Sequence, residues 1–368
     1  MKILVTGSNG FIGKNLIERL SRVENVEVFK FDKNNTTDDL ENYIEKTDFI
    51  FHLAGINRPE NVEEFYEGNS GLTERIISIV EKLDRAISIL ISSSTQAEFD
   101  NDYGKSKLGS EEALRSYAQK TGASIFIYRL PNVFGKWCKP NYNSVVATWC
   151  YNMTHDIHLQ INDKNALLTL VYIDDVVESF VSHLNNKSSN LECHIGTTYQ
   201  KSLGEIASLL EEFKESRTSL VIPRVGNRFE RALYGTYLSY LPTDKFSYEL
   251  KGHSDQRGTF YEILKTLDSG QFSISTTKAG DIMRGNHYHN TKNEKFLVVK
   301  GEAIIELRDI NSDEVIEYKV SDKKMEIVEM IPGYTHNIMN ISNEEMILFI
   351  WANEAYNHDK PDTYYLEV

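Results

Sequence analysis

The sequence has few cysteines, few prolines and an unbalanced charge. Its 368 residues include 3 cysteines, at positions 138, 150 and 193, and 7 prolines. An odd cysteine count without a CxxC pair argues against a disulfide framework or a cysteine zinc site, and it is typical of a reducing compartment. The 40 basic and 54 acidic residues give a net charge of −14. This charge argues against nucleic acid or an anionic membrane surface as the main partner.

Long apolar runs are also absent. The chain has no stretch of about 18 apolar residues, so the sequence predicts no membrane insertion. The opening MKILVTG lacks the apolar length and the cleavage site of a signal peptide. We therefore expect a soluble, cytoplasmic protein.

The chain contains two contrasting patterns, and its length allows about two domains of roughly 150 residues each. In the first part, amphipathic stretches separate strands predicted at 2–6, 26–31, 49–52, 87–92 and 124–129. This alternation indicates βαβ units and a parallel sheet. In the second part, turn residues separate β-rich runs at 257–265, 271–276, 295–308, 314–320, 325–331 and 345–351. These runs indicate an all-β sandwich or barrel. We predict domains at 1–243 and 247–368.

A glycine motif follows the first predicted strand. Gly7, Gly10 and Gly13 form GxxGxxG and lead into a predicted helix, where a dinucleotide pyrophosphate can sit on the helix N-terminus. The second strand ends at Asp32 and Lys33. An acid at this place favours the ribose of NADH, whereas a cation favours the 2′-phosphate of NADPH, so the two residues point to opposite cofactors.

A tyrosine and a lysine then occur four residues apart. In a helix, Tyr103 and Lys107 lie on one face, and an ammonium near a phenol favours its ionised form. Hydroxyl residues at 92–95 end the preceding strand and can hold a carbonyl substrate. Ser94 is the preferred hydroxyl, with Thr95 as its neighbouring alternative.

The first roughly 240 residues resemble the extended short-chain dehydrogenases/reductases that act on nucleotide sugars. The resemblance rests on the motifs above, on HLAG at 52–55, RLPNVFG at 129–135 and YIDDV at 172–176. It implies a Rossmann-type doubly wound sheet. Within it, Ser94 and Tyr103 polarise and protonate a sugar C4 carbonyl, Lys107 binds the nicotinamide ribose and lowers the tyrosine pKa, and Asn132 lies near the substrate. The implied cofactor-binding residues are Gly7, Gly10, Phe11, Ile12, Gly13, Asp32, Lys33, Leu53, Ala54, Gly55, Tyr103 and Lys107.

One pair of residues is missing from this pattern. The 4,6-dehydratases of the superfamily carry an Asp-Glu pair after the strand-end hydroxyl, but Gln96 and Ala97 follow Thr95. Without an acid–base pair, dehydration is disfavoured, whereas carbonyl reduction needs only the Ser, Tyr and Lys set.

The second part of the chain contains a cluster of metal-ligating residue types. His287 and His289 share one face of a strand, and Glu294 and His336 complete a set of three imidazoles and one carboxylate. This composition suits Zn²⁺ or another divalent transition metal. The spacing resembles the two cupin motifs, which implies a jelly-roll barrel.

The same part is similar to the dTDP-4-keto-6-deoxy-sugar 3,5-epimerases, which are cupins. DQRGTFYE at 255–262 and RGNHY at 284–288 carry this similarity. It implies that His287 abstracts the proton beside a ketone, that Lys295 stabilises the enolate, and that Arg257 and Arg284 face the nucleotide sugar. A metal-bound imidazole has no free lone pair, so His287 is either a ligand or the base. Lys295, His253 and Tyr334 are the alternative acid–base residues.

The whole chain resembles bifunctional bacterial capsular-polysaccharide enzymes of the UDP-N-acetyl-L-fucosamine pathway. KWCKPNYNSV at 136–145, YLSYLP at 237–242, HNTKNEKFLVV at 289–299 and the final PDTYYLEV carry this resemblance. It implies a UDP-sugar substrate, NADPH in preference to NADH, and a homodimer. Its cupin domain would invert C3 of a UDP-2-acetamido-2,6-dideoxy-4-hexulose before the reductase domain reduces C4.

Other readings of the chain stay open. The first is a plain C4 reductase whose cupin domain only holds a dimer together. The others are a nicotinamide nucleotide sensor without chemistry, which the Tyr–Lys pair disfavours, and a C4 epimerase that retains bound NAD.

Overall fold

The computed structural model describes residues 1–186, 188–280 and 285–368. Within them, the chain divides into two compact units. The first unit contains residues 1–211 and 227–242, and the second contains residues 212–226 and 243–368. Residues 212–226, which the sequence analysis grouped with the first domain, therefore pack with the second unit.

The first unit alternates strands and helices. Its strands are β1 (Lys2–Thr6), β2 (Glu27–Phe31), β3 (Phe49–His52), β4 (Ser88–Ser94), β5 (Ile125–Leu130), β6 (Asn132–Phe134), β7 (Leu167–Tyr172), β8 (Asn190–Cys193) and β9 (Tyr199–Ser202). Its helices are α1 (Phe11–Leu20), α2 (Thr37–Lys46), α3 (Glu63–Tyr66), α4 (Leu72–Lys82), α5 (Asp102–Thr121), α6 (Val145–Thr154), α7 (Ile173–Val181), α8 (Leu203–Ser219), which runs on past residue 211, and α9 (Arg228–Leu238).

The main sheet of this unit is parallel and is covered by helices on both faces. Its strand order is β2-β1-β3-β4-β5-β8, so the chain reverses direction across the sheet between β1 and β3. Successive residues of β1 alternate between the two cores: Ile3 and Val5 pack with α1 and α7, whereas Leu4 packs with α2, α4 and α5. In such sheets, ligands bind at the carboxyl ends of the strands beside the reversal point.

The second unit is built from antiparallel strands. They are β10 (Gly252–Ser254), β11 (Gly258–Lys265), β12 (Gln271–Thr277), β13 (His287–Tyr288), β14 (Glu294–Lys300), β15 (Glu302–Asp309), β16 (Val315–Ser321), β17 (Ile327–Met330), β18 (Tyr334–Asn340), β19 (Met346–Ala352) and β20 (Tyr364–Tyr365). Gly301, at φ +89°, divides the predicted run 295–308 into β14 and β15.

Two sheets enclose the core of this unit. One has the order β10-β11-β12-β19-β14-β17 and the other the order β16-β15-β18-β13-β20. Alternate residues of β14, β15, β18 and β19 point inward, among them Phe296, Ile305, Ile338 and Leu348. This is the layered all-β arrangement that the second half of the sequence predicts. Among the described helices, none is long and apolar enough to cross a membrane.

Candidate functional site

The glycine loop joins β1 to α1 at the reversal point of the sheet. Gly7 has φ +66°, which only glycine adopts without strain. A Cβ on Gly13 would lie 2.2 Å from the Gly7 carbonyl oxygen, and a Cβ on Gly7 would lie 2.7 Å from the backbone nitrogen of Ala54. The first turn of α1 carries no acidic side chain, so its positive end suits an anionic group.

Asp32 lies beside this loop, directly after β2. Its Oδ2 accepts a hydrogen bond of 2.7 Å from the backbone N–H of Asn9, and its Oδ1 accepts one from Lys33 N–H. The Lys33 side chain is exposed. Both residues therefore stand at the place that the sequence assigns to the adenosine ribose.

A cleft of about 780 Å³ opens over the carboxyl ends of the strands. It contains the predicted residues Gly7, Gly10, Phe11, Ile12, Gly13, Leu53, Gly55, Ser94, Tyr103, Lys107 and Asn132. Among its described lining residues, Lys14, Lys107 and Lys139 are basic and none is Asp or Glu. In a chain of net charge −14, this local excess of positive charge favours anionic ligands such as nucleotide diphosphates.

The Tyr–Lys pair lies on α5, which Asn101 caps by accepting a hydrogen bond from Gly104 N–H. Lys107 is buried, and its Nζ donates a hydrogen bond of 2.8 Å to the Ser92 carbonyl oxygen. Burial lowers the pKa of Lys107 to about 8. Burial also raises the pKa of Tyr103, although a hydrogen bond with Ser94 acts in the opposite direction. The expected lowering of the tyrosine pKa by Lys107 is therefore not what this structure shows.

The hydroxyl residues at the end of β4 have different partners. Ser93 donates a hydrogen bond of 2.5 Å to the buried carboxylate of Glu111, so its hydroxyl proton is already engaged. Ser94 bonds with Tyr103 and accepts a hydrogen bond from Gln96 N–H. Thr95 is exposed. The contact with the phenol distinguishes Ser94 from its neighbours.

Asn69 is a cleft residue that the sequence analysis missed. It lies in a π-helical turn (Glu67–Gly71) and is almost fully buried. Its Nδ2 donates to the Ile56 carbonyl and to Ser106 Oγ, and Ser106 Oγ donates to the Tyr103 carbonyl. π-Helical turns of this kind often occur at functional sites. In the sequence, Asn69 is only an asparagine ahead of an amphipathic stretch, and a helix cap would explain it equally well.

A buried chain of hydrogen bonds joins Asn69 to the first strand. Thr6 Oγ1 accepts from the N–H groups of Leu53 and Ala54, so its hydroxyl donates to His52 Nδ1 at 2.8 Å. His52 Nε2 then bonds to Thr73 Oγ1 at 2.9 Å. Burial, with the charge of Lys107, lowers the pKa of His52 to about 3, so the imidazole stays neutral.

Asn132 lines the cleft from β6. Its Nδ2 donates a hydrogen bond of 3.2 Å to the Thr169 carbonyl oxygen, and the side chain is otherwise exposed. Its position fits the expected contact with a substrate.

The second unit brings His287, His289 and Glu294 together, and His336 lies beside them. Donor atoms of His287, His289 and Glu294 lie within 4.8 Å of one another. His336 adjoins this group, with its ring centre 4.5 Å from that of His287. Burial lowers the pKa of His287, and it lowers that of His336 to about 3, which keeps both rings neutral and their lone pairs available.

The donor set fits a divalent metal. His289 Nδ1 donates to the backbone carbonyl of Asp362, which leaves Nε2 as the ring nitrogen that faces Glu294. That Nε2 and Nδ1 of His336 are buried atoms without a hydrogen-bond partner. His289 Nε2 also lies 3.7 Å from Glu294 Oε2, and a cation would stabilise two such facing acceptors.

Three other predicted residues lie elsewhere or outside the described residues. Lys295 follows Glu294 on β14, and because side chains alternate along a strand it points to the opposite face. There its Nζ bonds with Glu329 and lies 6.0 Å from the centre of the Trp351 ring. Arg257 forms an exposed ion pair with Asp255. Arg284 lies outside the described residues.

Family models match both parts of the chain. Residues 3–196 match the NAD dependent epimerase/dehydratase family, and residues 253–364 match the polysaccharide biosynthesis C-terminal domain. The chain belongs to the NAD dependent epimerase/dehydratase family. As a member, it is an NAD(P)-dependent oxidoreductase that takes a nicotinamide cofactor.

Similar proteins extend over the whole chain. It is 50% identical over 99% of its length to a UDP-2-acetamido-2,6-beta-L-arabino-hexul-4-ose reductase of Pseudomonas aeruginosa, of which 98% is covered. The crystal structure of the capsular polysaccharide assembling protein CapF of Staphylococcus aureus is 46% identical, covers 100% of both chains and has a TM-score of 0.94. The predicted fold class, a Rossmann-type unit followed by a cupin, is confirmed.

Glu111 provides a test of how α5 is held against the sheet. Its fully buried carboxylate accepts hydrogen bonds from Ser93 and from Arg129, and so ties α5 to β4 and β5. We expect Glu111→Ala to lower the free energy of unfolding by about 3 kcal/mol, because Arg129 and Ser93 lose their partner. Denaturant unfolding measures this. As a control, Glu112→Ala at the exposed neighbouring position should change the free energy of unfolding by less than about 0.5 kcal/mol. Equal effects of the two variants would contradict the role of Glu111.

Proposed function

We propose that this chain is a bifunctional enzyme of surface-polysaccharide synthesis. Its cupin unit inverts C3 of a UDP-2-acetamido-2,6-dideoxy-4-hexulose, and its first unit then reduces C4 with NADPH. The product is UDP-2-acetamido-2,6-dideoxy-L-talose. The order follows from chemistry, because C3–H is acidic only while C4 is a ketone.

The reductase half of the proposal rests on Ser94, Tyr103 and Lys107 lining one cleft, where Ser94 lies close enough to the phenol to act on its pKa. A bound nicotinamide cofactor supplies the hydride. Ser94 holds the C4 carbonyl, and Tyr103 donates the proton that the new hydroxyl needs. The raised pKa of Tyr103 supports this direction, because it keeps the phenol protonated near pH 7. The 50% identical relative, named as a hexulose reductase, supports the same chemistry and the substrate class.

The preference for NADPH rests on Lys33. Its exposed ammonium follows β2 and is free to approach a 2′-phosphate, whereas Asp32 already accepts two backbone N–H groups. A clear preference for NADH in parallel assays would contradict this assignment.

The cupin half rests on the histidine–carboxylate centre. We propose that His287, His289, Glu294 and His336 hold Zn²⁺ or another divalent metal, which acts as a Lewis acid when bound. The two unpartnered imidazole nitrogens support this. If His287 is a metal ligand, another group must take the proton from C3. Tyr334 and His253 are the candidates for this base.

One observation favours the alternative, a C4 reductase with a purely structural cupin. Lys295, the expected partner of the enolate oxygen, is bonded with Glu329 on the outer face of β14. In that alternative, the second unit serves only to join two subunits.

The first experiment follows both reactions in one sample. The full chain is incubated with UDP-2-acetamido-2,6-dideoxy-4-hexulose and NADPH in deuterated water, and the product is analysed by NMR. We expect NADPH oxidation, deuterium at C3 and an inverted C3 centre. Oxidation without exchange at C3 would favour the structural cupin, and no oxidation would contradict the reductase proposal.

Two variants separate the half-reactions in that assay. Tyr103→Phe should stop NADPH oxidation and leave deuterium exchange at C3, whereas His287→Ala should stop exchange and leave reduction of a pre-inverted substrate. Loss of both activities in either variant would contradict two independent sites.

The pH dependence of reduction tests the Tyr–Lys pair. As pH rises through about 8, Lys107 loses its proton while Tyr103 keeps the phenol. We therefore expect kcat/KM for the reduction to be level near pH 7 and to fall about tenfold per pH unit above about pH 8. A level profile up to about pH 10 would show that the charge of Lys107 is not needed.

We also propose that the chain acts as a homodimer. β16 is an edge strand of its sheet and exposes Val315, Ile316 and Tyr318, which suits pairing with a second copy. Light scattering should give about twice the chain mass of 42.3 kDa, and the mass of a single chain would contradict this.

A further inference from the structure

A short segment near the end of the sequence lies against the histidine–carboxylate centre. We call residues 362–366 the clasp. Its strand β20 pairs with β13, placing Tyr365 opposite His287 and Tyr364 opposite Tyr288. Beyond this strand, Leu366 N–H donates a hydrogen bond of 2.9 Å to the Asn286 carbonyl, and Thr335 Oγ1 donates to the Leu366 carbonyl. The clasp is therefore anchored on both strands that carry His287 and His336.

The Asp362 carboxylate holds the loop that connects His289 to Glu294. Oδ1 accepts from Asn290 N–H at 3.0 Å, and Oδ2 accepts from Thr291 N–H at 2.8 Å, Thr291 Oγ1 at 2.9 Å and Lys292 N–H at 2.9 Å. Burial opposes ionisation of Asp362, but these hydrogen bonds outweigh it and hold its pKa well below the usual value. One ionised side chain thus organises three consecutive residues of the loop.

The backbone of the same residue contacts the centre itself. A carbonyl oxygen can only accept, so the bond between His289 Nδ1 and the Asp362 carbonyl fixes the proton on Nδ1. The lone pair is then on Nε2, which is buried, unpartnered and 3.7 Å from Glu294 Oε2. Without the carbonyl, the ring proton could lie on either nitrogen. Nε2 offers a lone pair to a metal only when that proton is on Nδ1.

We propose that the clasp is a positioning element of this centre: Asp362 holds His289 in the tautomer that faces Glu294 and thereby sets how tightly a divalent metal is bound. The inference rests on the metal centre proposed above. Asp362 touches the ligand residue and its loop and not the metal, so it acts through His289.

The test is a metal-binding titration on the full chain. Metal-free protein is titrated with Co²⁺, whose visible absorption reports the number and geometry of its ligands, and Zn²⁺ affinity is measured by competition with a chromophoric chelator. We compare the unchanged chain with Asp362→Ala and Asp362→Asn. As a matched control, Asp359→Ala removes the same charge from an exposed position three residues earlier.

We expect Asp362→Ala to weaken metal binding about 10- to 100-fold, because loss of the carboxylate releases the clasp from residues 290–292 and so loosens the backbone carbonyl that orients His289. Its Co²⁺ spectrum should also change. Asp362→Asn, which keeps the shape and one acceptor oxygen, should show a smaller loss, and Asp359→Ala should match the unchanged chain. Thermal unfolding of the metal-free variants serves as the control for folding of the second unit.

Two results would overturn the inference in different ways. If the unchanged chain binds metal and both Asp362 variants bind it equally well, the clasp has no positioning role, although the metal centre stands. If the unchanged chain binds neither Co²⁺ nor Zn²⁺, the metal centre itself is wrong and the clasp inference fails with it. If Asp362→Ala fails to fold, Asp362→Asn decides between the outcomes.

Discussion

The hydrogen bond from Lys107 Nζ to the Ser92 carbonyl holds the proposed reductase site together. It joins α5 to the end of β4, and so brings the helix that carries Tyr103 against the strand end that carries Ser94. The bond requires the ammonium to be buried, and this burial lowers the pKa of Lys107. The charge of Lys107 adds to the burial of His52 in keeping that imidazole neutral. The neutral His52 in turn links β1 to Asn69, whose side chain reaches Ser106 below Tyr103. One polar network therefore joins β1 to the helix that carries Tyr103.

The two units arrange their polar groups by different rules. In the first unit, the functional side chains follow the carboxyl ends of parallel strands, where the sheet itself leaves a crevice. In the second unit, neutral imidazoles and one carboxylate converge between two antiparallel sheets, where burial would be costly without a partner for their lone pairs. The first site thus suits an extended anionic ligand, and the second suits a compact cation.

Strong periodicity explains what the sequence could predict. β1 and β3 were predicted at their observed bounds, because buried parallel strands are continuous apolar runs between helices. The histidine pair and Glu294 were found because their spacing is itself the signal. β20 was missed, since a strand of two residues has no measurable alternation. Asn69 was missed because its role arises from contacts with residues far along the chain.

Lys295 shows the opposite failure. The alternation of a strand places Glu294 and Lys295 on opposite faces of β14, so the two side chains cannot both point into one centre. The predicted run began at Lys295, and it therefore did not reveal that Glu294 precedes Lys295 on the same strand.

The pairing of β20 with β13 also bears on solubility. A sheet that ended at β13 would leave the backbone beside the histidines open to strands of other molecules, which is how edge-to-edge aggregation starts. With β20 in place, the outermost strand has only two paired residues. The clasp therefore also covers the backbone beside His287, whereas β16 at the opposite edge of the same sheet stays open.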